Sequence, residues 1–405
     1  MVFNRANVLL PANADMSKWS VVACDQYTSE PKYWEDVENF VGTSPSAYNL
    51  ILPEMYLQCG DVGERIEKIN SQMNRYLSDG VFASAGRCYI YVERTLRCGK
   101  VRKGVVGCVD LECYDYMPGS KSAVRPTEKT VVERIPPRLR VRENAPVELP
   151  HIMLLADDPN KILIEPLGEE KSKFEKLYDF DLMMSSGHIT GYKLDDETAA
   201  AFENKLLSIG NDGSKSALVF AVGDGNHSLA TAKACYRNLK DKIGDAALAS
   251  PARYALAELV NLHDDSLEFE AIHRVVFGVD KDKFTDGLLN ICTQVDSAER
   301  DFTLVTEEDD KPLKFNNPDS SLAVGCIQNY IDTYLAENGG SVDYIHGEDV
   351  ARELAGEGNV AIVLDAMKKS DLFKTVTEDG VLPRKTFSMG EACDKRFYVE
   401  ARKIK

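Results

Sequence analysis

Apolar and polar positions follow two rhythms in this chain. Short uncharged runs closed by turn residues predict buried strands, and apolar residues three or four apart predict helices. The clearest unit is Ala217–Tyr236. Ala217 to Val222 carries no charge and predicts a strand buried on both faces. Gly223-Asp224-Gly225-Asn226-His227-Ser228 follows as a tight polar turn, and Leu229, Ala230, Ala232, Lys233, Ala234 and Tyr236 begin a helix. Trp19–Cys24, Leu149–Asp157 and Val360–Leu364 predict further strands. Cys88–Arg94 and Gly104–Leu111 predict a hairpin. Val62, Ile66, Ile69, Met73 and Leu77 predict a helix, as do Asp195 through Leu207, ending at Gly210, and Lys281 through Val295. Ser29 and Pro31 read as the start of a helix through Val37. Phe174–Met184 reads as helical or mixed, Ser250–Val260 as helix or strand, and Leu322–Cys326 as a strand ahead of a helix from Gln328. Pro126, Pro136, Pro137 and Pro146 forbid a long helix between Lys121 and Pro150, leaving room for a short one over Thr127–Arg134.

These elements predict an α/β (mixed α+β), multi-domain protein. The expected divisions are an N-terminal α/β domain over 1–148, a central domain over 149–276 carrying the turn, and a C-terminal α/β region over 277–405 packing back on the site. The 405 residues suffice for two or three full cores.

Composition narrows the function classes. A net charge of −17 argues against a general nucleic-acid binder. No apolar run reaches the ~20 residues of a membrane span, and the N-terminal stretch lacks a signal-peptide apolar core. The ten cysteines include no C-x-x-C pair and fit reduced thiols in a cytoplasmic protein. Two basic stretches stand out. Lys121–Arg142 has seven basic residues against two acidic, and Arg384–Lys405 seven against three. Either is a solvated face or a set of anion contacts. The tail also carries Thr386, Ser388, Glu391 and Lys395.

The candidate chemistry centres on the turn. A strand–turn–helix start leaves backbone N–H groups unpaired and puts the positive helix end beside Asp224 and His227, which suits phosphate. The plainer reading is a DG turn capped by Asn226 or Ser228. Arg134 and Arg138 flank Pro136-Pro137, whose stiffness lowers the cost of holding a guanidinium in place. His273-Arg274 at a strand edge could bind phosphate or carboxylate, or form a salt-bridged edge. Asp25-Gln26-Tyr27 ends the Trp19–Cys24 strand and either lines a site or caps the next helix. Walker A, G-x-G-x-x-G, G-x-S-x-G and H-E-x-x-H motifs are all absent.

Four segments carry a resemblance. GDGNHSLATAK, VVERIPPRLRVRENAPVELPHIMLLADD, Ala271-Ile272-His273-Arg274 and LPRKTFSMGEACDKRFYVEA together resemble the Domain of Unknown Function 1015 proteins of bacteria and archaea. The turn is also similar to the D-G-x-H-R turn of ParB/sulfiredoxin-like domains, including free-serine kinases and nucleotide-binding partition proteins. That likeness implies a central ParB/sulfiredoxin-like unit, with the helix start on nucleotide phosphates and Asp and His serving metal and catalysis. Asp224 and His227 match. Asn226 holds the middle position, and Ser228 stands where an arginine is usual, so Arg134, Arg138, Arg274 or Lys385 would supply the charge. The reading implied is a small-molecule kinase. ATP or ADP would be the donor, Mg²⁺ would sit on Asp224, and a small hydroxylated metabolite such as serine would be the acceptor. Phosphate would lie on Gly223, Gly225, Asn226 and Ser228, aided by Arg134, Arg138, His273, Arg274 and Lys385. Asp224, His227 and Glu133 would be catalytic. A nucleotide-binding regulator without turnover and a scaffold with basic faces are the rivals.

Overall fold

The computed structural model describes residues 1–149, 151–209, 217–356, 359–383 and 385–405. The expected helix end at Gly210, the Asn211–Ser214 linker and Arg384 lie outside the described residues. The chain divides into two compact units: residues 1–267 with 391–405, and residues 268–390. Sequence patterning instead placed boundaries at 148 and 276.

The first unit is built on one mixed sheet of nine strands. In chain order they are β1 (Phe3–Asn4), β2 (Ile90–Thr95), β3 (Val101–Asp110), β4 (Val124–Pro126), β5 (Met153–Ala156), β6 (Glu175–Asp181), β7 (His188–Lys193), β8 (Phe220–Asp224) and β9 (Tyr254–Asn261). Their order across the sheet is β6–β7–β2–β3–β9–β5–β8–β4, with β1 added on β3. The 88–111 hairpin forms as expected, with Ile90 opposite Val106. Strands from both sides of residue 148 share this sheet.

Both faces of the sheet's centre are covered, which is why β5, β8 and β9 read as nearly unbroken apolar runs. Alternate residues feed opposite cores. Ile90, Val92, Val106 and Leu256 join Trp19, Trp34 and Ile66 in one core. Tyr89, Tyr91, Val105, Leu154, Phe220 and Val222 join Phe202, Leu229 and Tyr236 in the other.

Three local expectations change. Glu175–Asp181 is a strand hairpinned to β7 rather than a helix. Its apolar residues are too few and too interrupted to cover a helical face. Leu322–Cys326 is not a strand, because Ala323–Asn338 is one helix with Val324, Ile327, Ile331 and Tyr334 buried at helical spacing. Val132–Arg134 makes a single 3₁₀ turn, and the α-helix starts after it at Ile135, running to Arg142. Pro136 and Pro137 open that helix, where the missing N–H costs nothing.

The second unit carries a seven-stranded sheet of β10 (Phe269–Phe277), β11 (Cys292–Gln294), β12 (Phe302–Val305), β13 (Asp310–Phe315), β14 (Ser341–His346), β15 (Val360–Leu364) and β16 (Phe387–Met389). Its path is β11–β13–β12–β15–β10–β14, with β16 added on β10. Val276, Leu304 and Ile362 face one core of this unit, and Val275, Val305 and Val363 the other.

Candidate functional site

β8 ends in a bulge. Val222 pairs with Leu154 and Asp224 with Met153, so Gly223 is the extra residue. A Cβ on Gly223 would lie 2.8 Å from Leu155 Cγ, which only glycine avoids. Gly225 then turns the chain at φ 76°, ψ 26° and serves as N-cap of the helix Asn226–Ile243, with no side chain capping it. Neither Asn226 nor Ser228 is the cap, so the plain capped turn is not what forms. Asn226 is the first helical residue. Its Oδ1 is buried without a hydrogen-bond partner, a state that protein interiors avoid unless water or ligand donates.

The turn holds its carboxylate and imidazole apart in role. Asp224 Oδ1 accepts from the Gly225 N–H at 2.8 Å, and Oδ2 lies 3.5 Å from Lys395 Nζ. Both side chains of that pair are under one-fifth exposed (18% and 17%), so water screens it only partly. Burial, with Arg138 and Arg134 adding like charge, pushes the His227 imidazole down to about 4 despite the pull of Asp25. His227 is therefore neutral near pH 7, and its Nε2 accepts the Val131 N–H at 3.3 Å.

The basic stretch reaches the turn through β4, which runs parallel to β8 with Val124 opposite Phe220. Thr127 Oγ1 pins the next residues by donating to Val222 O at 2.8 Å. The helix Ile135–Arg142 then packs along Asn226–Ile243. Arg138 is fixed by Glu54, which accepts from its Nε at 2.8 Å, and by the Arg134 carbonyl at 2.7 Å. Arg134 itself is exposed.

Other predicted residues lie elsewhere. Glu133 is exposed in the turn Val132–Arg134, with no hydrogen bond or ion pair to Asp224 or His227 among the described residues. His273 and Arg274 belong to the second unit, buried in β10. His273 Nδ1 accepts the Leu364 N–H at 3.2 Å, and Arg274 lies 5.2 Å over the Tyr344 ring. Lys385 is exposed in that same unit.

Several groups beside the turn were not singled out from sequence as its partners. Asp25 follows the short strand Val21–Val22, which pairs with Phe397–Tyr398. Its Oδ2 lies 3.8 Å from His151 Nε2, and His151 Nδ1 is 2.9 Å from the Tyr398 hydroxyl. That hydroxyl accepts the Cys24 N–H at 3.1 Å. Burial alone would raise the Asp25 carboxyl. His151, the Gln26 side chain at 3.1 Å and Lys395 outweigh it and hold the group below its ordinary value. Burial, with Asp25 and Glu54 adding negative charge, pushes the Cys24 thiol up to about 12, so it is no nucleophile. In sequence Lys395 reads as one of several chemistry-capable groups of the tail, and Asp25 as part of a polar strand end that either lines a site or caps a helix; neither is tied there to the turn.

The sequence matches the family described as protein of unknown function DUF1015 over residues 7–334. The chain belongs to this family. No curated protein matches it. Among solved structures, a free serine kinase in complex with AMP shows TM-score 0.41 at 12% identity, covering 76% of this chain and 92% of that one. A mutant of a free serine kinase in complex with ADP gives TM-score 0.41 at 12% identity, covering 76% and 93%. A conserved hypothetical protein from Pyrococcus furiosus gives 0.38 at 12% identity, covering 76% and 96%. All three are distant likenesses. Among the described residues of this DUF1015 protein, no helix is long and apolar enough to cross a membrane.

Proposed function

We propose that the turn at Asp224–Ser228 binds nucleotide phosphate and that the protein transfers a phosphoryl group from ATP or ADP to a small hydroxylated metabolite. The observation that carries this is the uncapped start of the helix Asn226–Ile243 beside Lys395, His227, Arg138 and Arg134. The backbone N–H groups of Asn226, His227 and Ser228 take no acceptor among the described residues, and the adjoining cations add the charge that Ser228 lacks. Free N–H donors at a helix start are worth most in a partly buried site.

Among the described residues no group of three or more His, Cys, Asp or Glu could hold a metal ion. Mg²⁺ commonly binds through one or two carboxylates plus substrate phosphates, so Asp224 alone on the protein side fits an ion that arrives with the nucleotide. Such an ion would offset charge on the phosphate oxygens. Lys395 would orient the phosphate. Neutral His227 would offer a hydrogen bond without adding charge. The likeness of the turn to free-serine kinases makes L-serine the first acceptor to try.

The test is incubation of the protein with ATP or ADP, Mg²⁺ and a pool of small hydroxylated compounds, read by mass spectrometry. A phosphorylated product should appear only with Mg²⁺. Asp224→Asn should lose it while still melting cooperatively, because asparagine keeps the side chain's shape and its Oδ1 can still accept the Gly225 N–H. Nucleotide binding with no product from any acceptor would make the protein a regulator. No nucleotide binding at all would refute the reading.

A further inference from the structure

Phosphoryl transfer from a nucleotide to an alcohol needs a group that takes the hydroxyl proton, and the turn does not supply a good one. Asp224 has one oxygen on the Gly225 N–H and the other toward Lys395. Both oxygens are thus engaged, and a proton taken up there would weaken the Lys395 pair. Glu133 is exposed and makes no hydrogen bond or ion pair to Asp224 or His227 among the described residues. Two carboxylates with contrasting surroundings usually divide two tasks.

We propose that Asp25 is the proton acceptor of the reaction, with His151 and Tyr398 as residues that position and tune it. This rests on the phosphoryl-transfer reading above. The hydrogen-bond directions follow from counting protons. Tyr398 oxygen accepts the Cys24 N–H, and its own proton goes to the best acceptor beside it. That is His151 Nδ1 at 2.9 Å rather than the Cys24 sulfur, a weak acceptor. Nδ1 thus receives, Nε2 carries the hydrogen, and Nε2 faces Asp25 Oδ2 at 3.8 Å. At that distance the contact is electrostatic, of a kind that tightens when substrate binds. The loop holding Asp25 is strained two residues on, where Tyr27 sits at φ 53°, a cost of roughly 1–3 kcal/mol that persists only when surroundings enforce it.

The charged and titratable groups facing Asp25 are His151, Lys395 and His227, with the Cys24 thiol beside it and Glu54 and Arg138 behind that thiol. In the reaction, the acceptor oxygen bonds to the terminal phosphorus of the nucleoside triphosphate. The bond from that phosphorus to the bridging oxygen breaks, and its electron pair leaves on the diphosphate. The hydroxyl proton passes to Asp25, which releases it to water after product leaves. No electron changes hands.

The experiment uses the full chain with ATP, Mg²⁺ and L-serine, then the wider acceptor pool. Asp25→Asn should bind ATP within about twofold of wild type and lose roughly 10²–10⁴-fold in kcat, the usual worth of a general base. His151→Gln should keep partial activity and move the acidic limb of kcat/KM up by as much as about one pH unit, because Asp25 loses a neighbour that favours its charge. Tyr398→Phe should move it the same way by less. Wild-type kcat in Asp25→Asn would overturn the assignment and leave phosphoryl transfer standing. A wild type that binds no ATP, or binds it and phosphorylates nothing, overturns both. If Asp25→Asn does not fold, an unmoved acidic limb in His151→Gln overturns the assignment.

Discussion

Gly225→Ala tests the feature on which the whole site depends. Gly225 caps the helix at φ 76°, a region that costs an L-residue roughly 1–2 kcal/mol. The added Cβ would also lie 3.0 Å from Ile152 Cα and 3.2 Å from Ile152 Cγ1. The first of these is backbone of the residue leading into β5 and cannot swing aside. Forcing a methyl into such packing costs roughly 1–3 kcal/mol. The two together give about 2–5 kcal/mol. In a unit of this size each kcal/mol moves the midpoint by roughly 2–4 °C, so thermal unfolding should fall by about 4–20 °C. Gly63→Ala is the matched control. Gly63 lies near the start of the helix Val62–Ser78 with nothing within 4 Å of its added Cβ, and alanine there should be neutral or stabilise by up to about 1 kcal/mol. Both variants are followed by circular dichroism and by the thermal shift ATP produces. Gly225→Ala should lose the ATP shift even below its own midpoint, because relieving the clash rotates the N–H groups of Asn226–Ser228. A Gly225→Ala protein that melts with wild type and keeps its ATP shift would refute the left-handed cap.

Two further predictions concern the side chains around that cap. The folded His227 takes its proton at about 4 and the unfolded one near 6.5, so between those values the unfolded chain binds more protons. The stability wild type holds relative to His227→Gln should be full above about pH 6.5 and drain away as pH falls through about 4, as urea melts at several pH values would show. Lys395→Met should weaken ATP binding by about 10–150-fold, the worth of one charged hydrogen bond, with the loss shrinking as salt rises. Equal affinity at low salt would remove Lys395 from the phosphate site.

What the sequence revealed was what is local. The bulge, cap and helix start occupy one stretch of six residues, Gly223–Ser228, and every requirement is met by a neighbour in the chain: glycine for the left-handed turn, Asp224 at the strand end, His227 on the first helical turn. Buried strands were legible for the same reason, since covering both faces of a sheet forces apolar runs. Short apolar runs misled at Leu322–Cys326, where length and the spacing of Val324, Ile327 and Ile331 had to decide between strand and helix. Pro136-Pro137 was read as an interruption when it was a start, because proline forbids a helix interior and favours its first turn.

The remainder was hidden because it is made across distance. Tyr398 meets His151 from 247 residues away, and no periodicity or spacing announces a contact of that kind. The physical reason lies in how the chain closes. Residues 268–390 form their own unit, and the last fifteen residues return to the first one. Phe397–Tyr398 pairs with Val21–Val22, and Arg402 pairs with buried Glu148 at 2.7 Å. Arg396 lies 2.9 Å from Glu258 and 2.8 Å from Glu400, all three nearly sealed from water. Removing one partner from such a network strands a buried charge at a cost of about 3–5 kcal/mol, so single substitutions in the strand-and-salt-bridge clasp should be poorly tolerated. Lys395 and Tyr398 sit inside that clasp, and it is the clasp that carries them to Asp224 and His151. The basic tail that reads in sequence as a solvated run is thus partly interior: buried Arg396 and Arg402 hold the segment in register, half-buried Lys395 faces the turn, and Lys385, Lys403 and Lys405 are exposed.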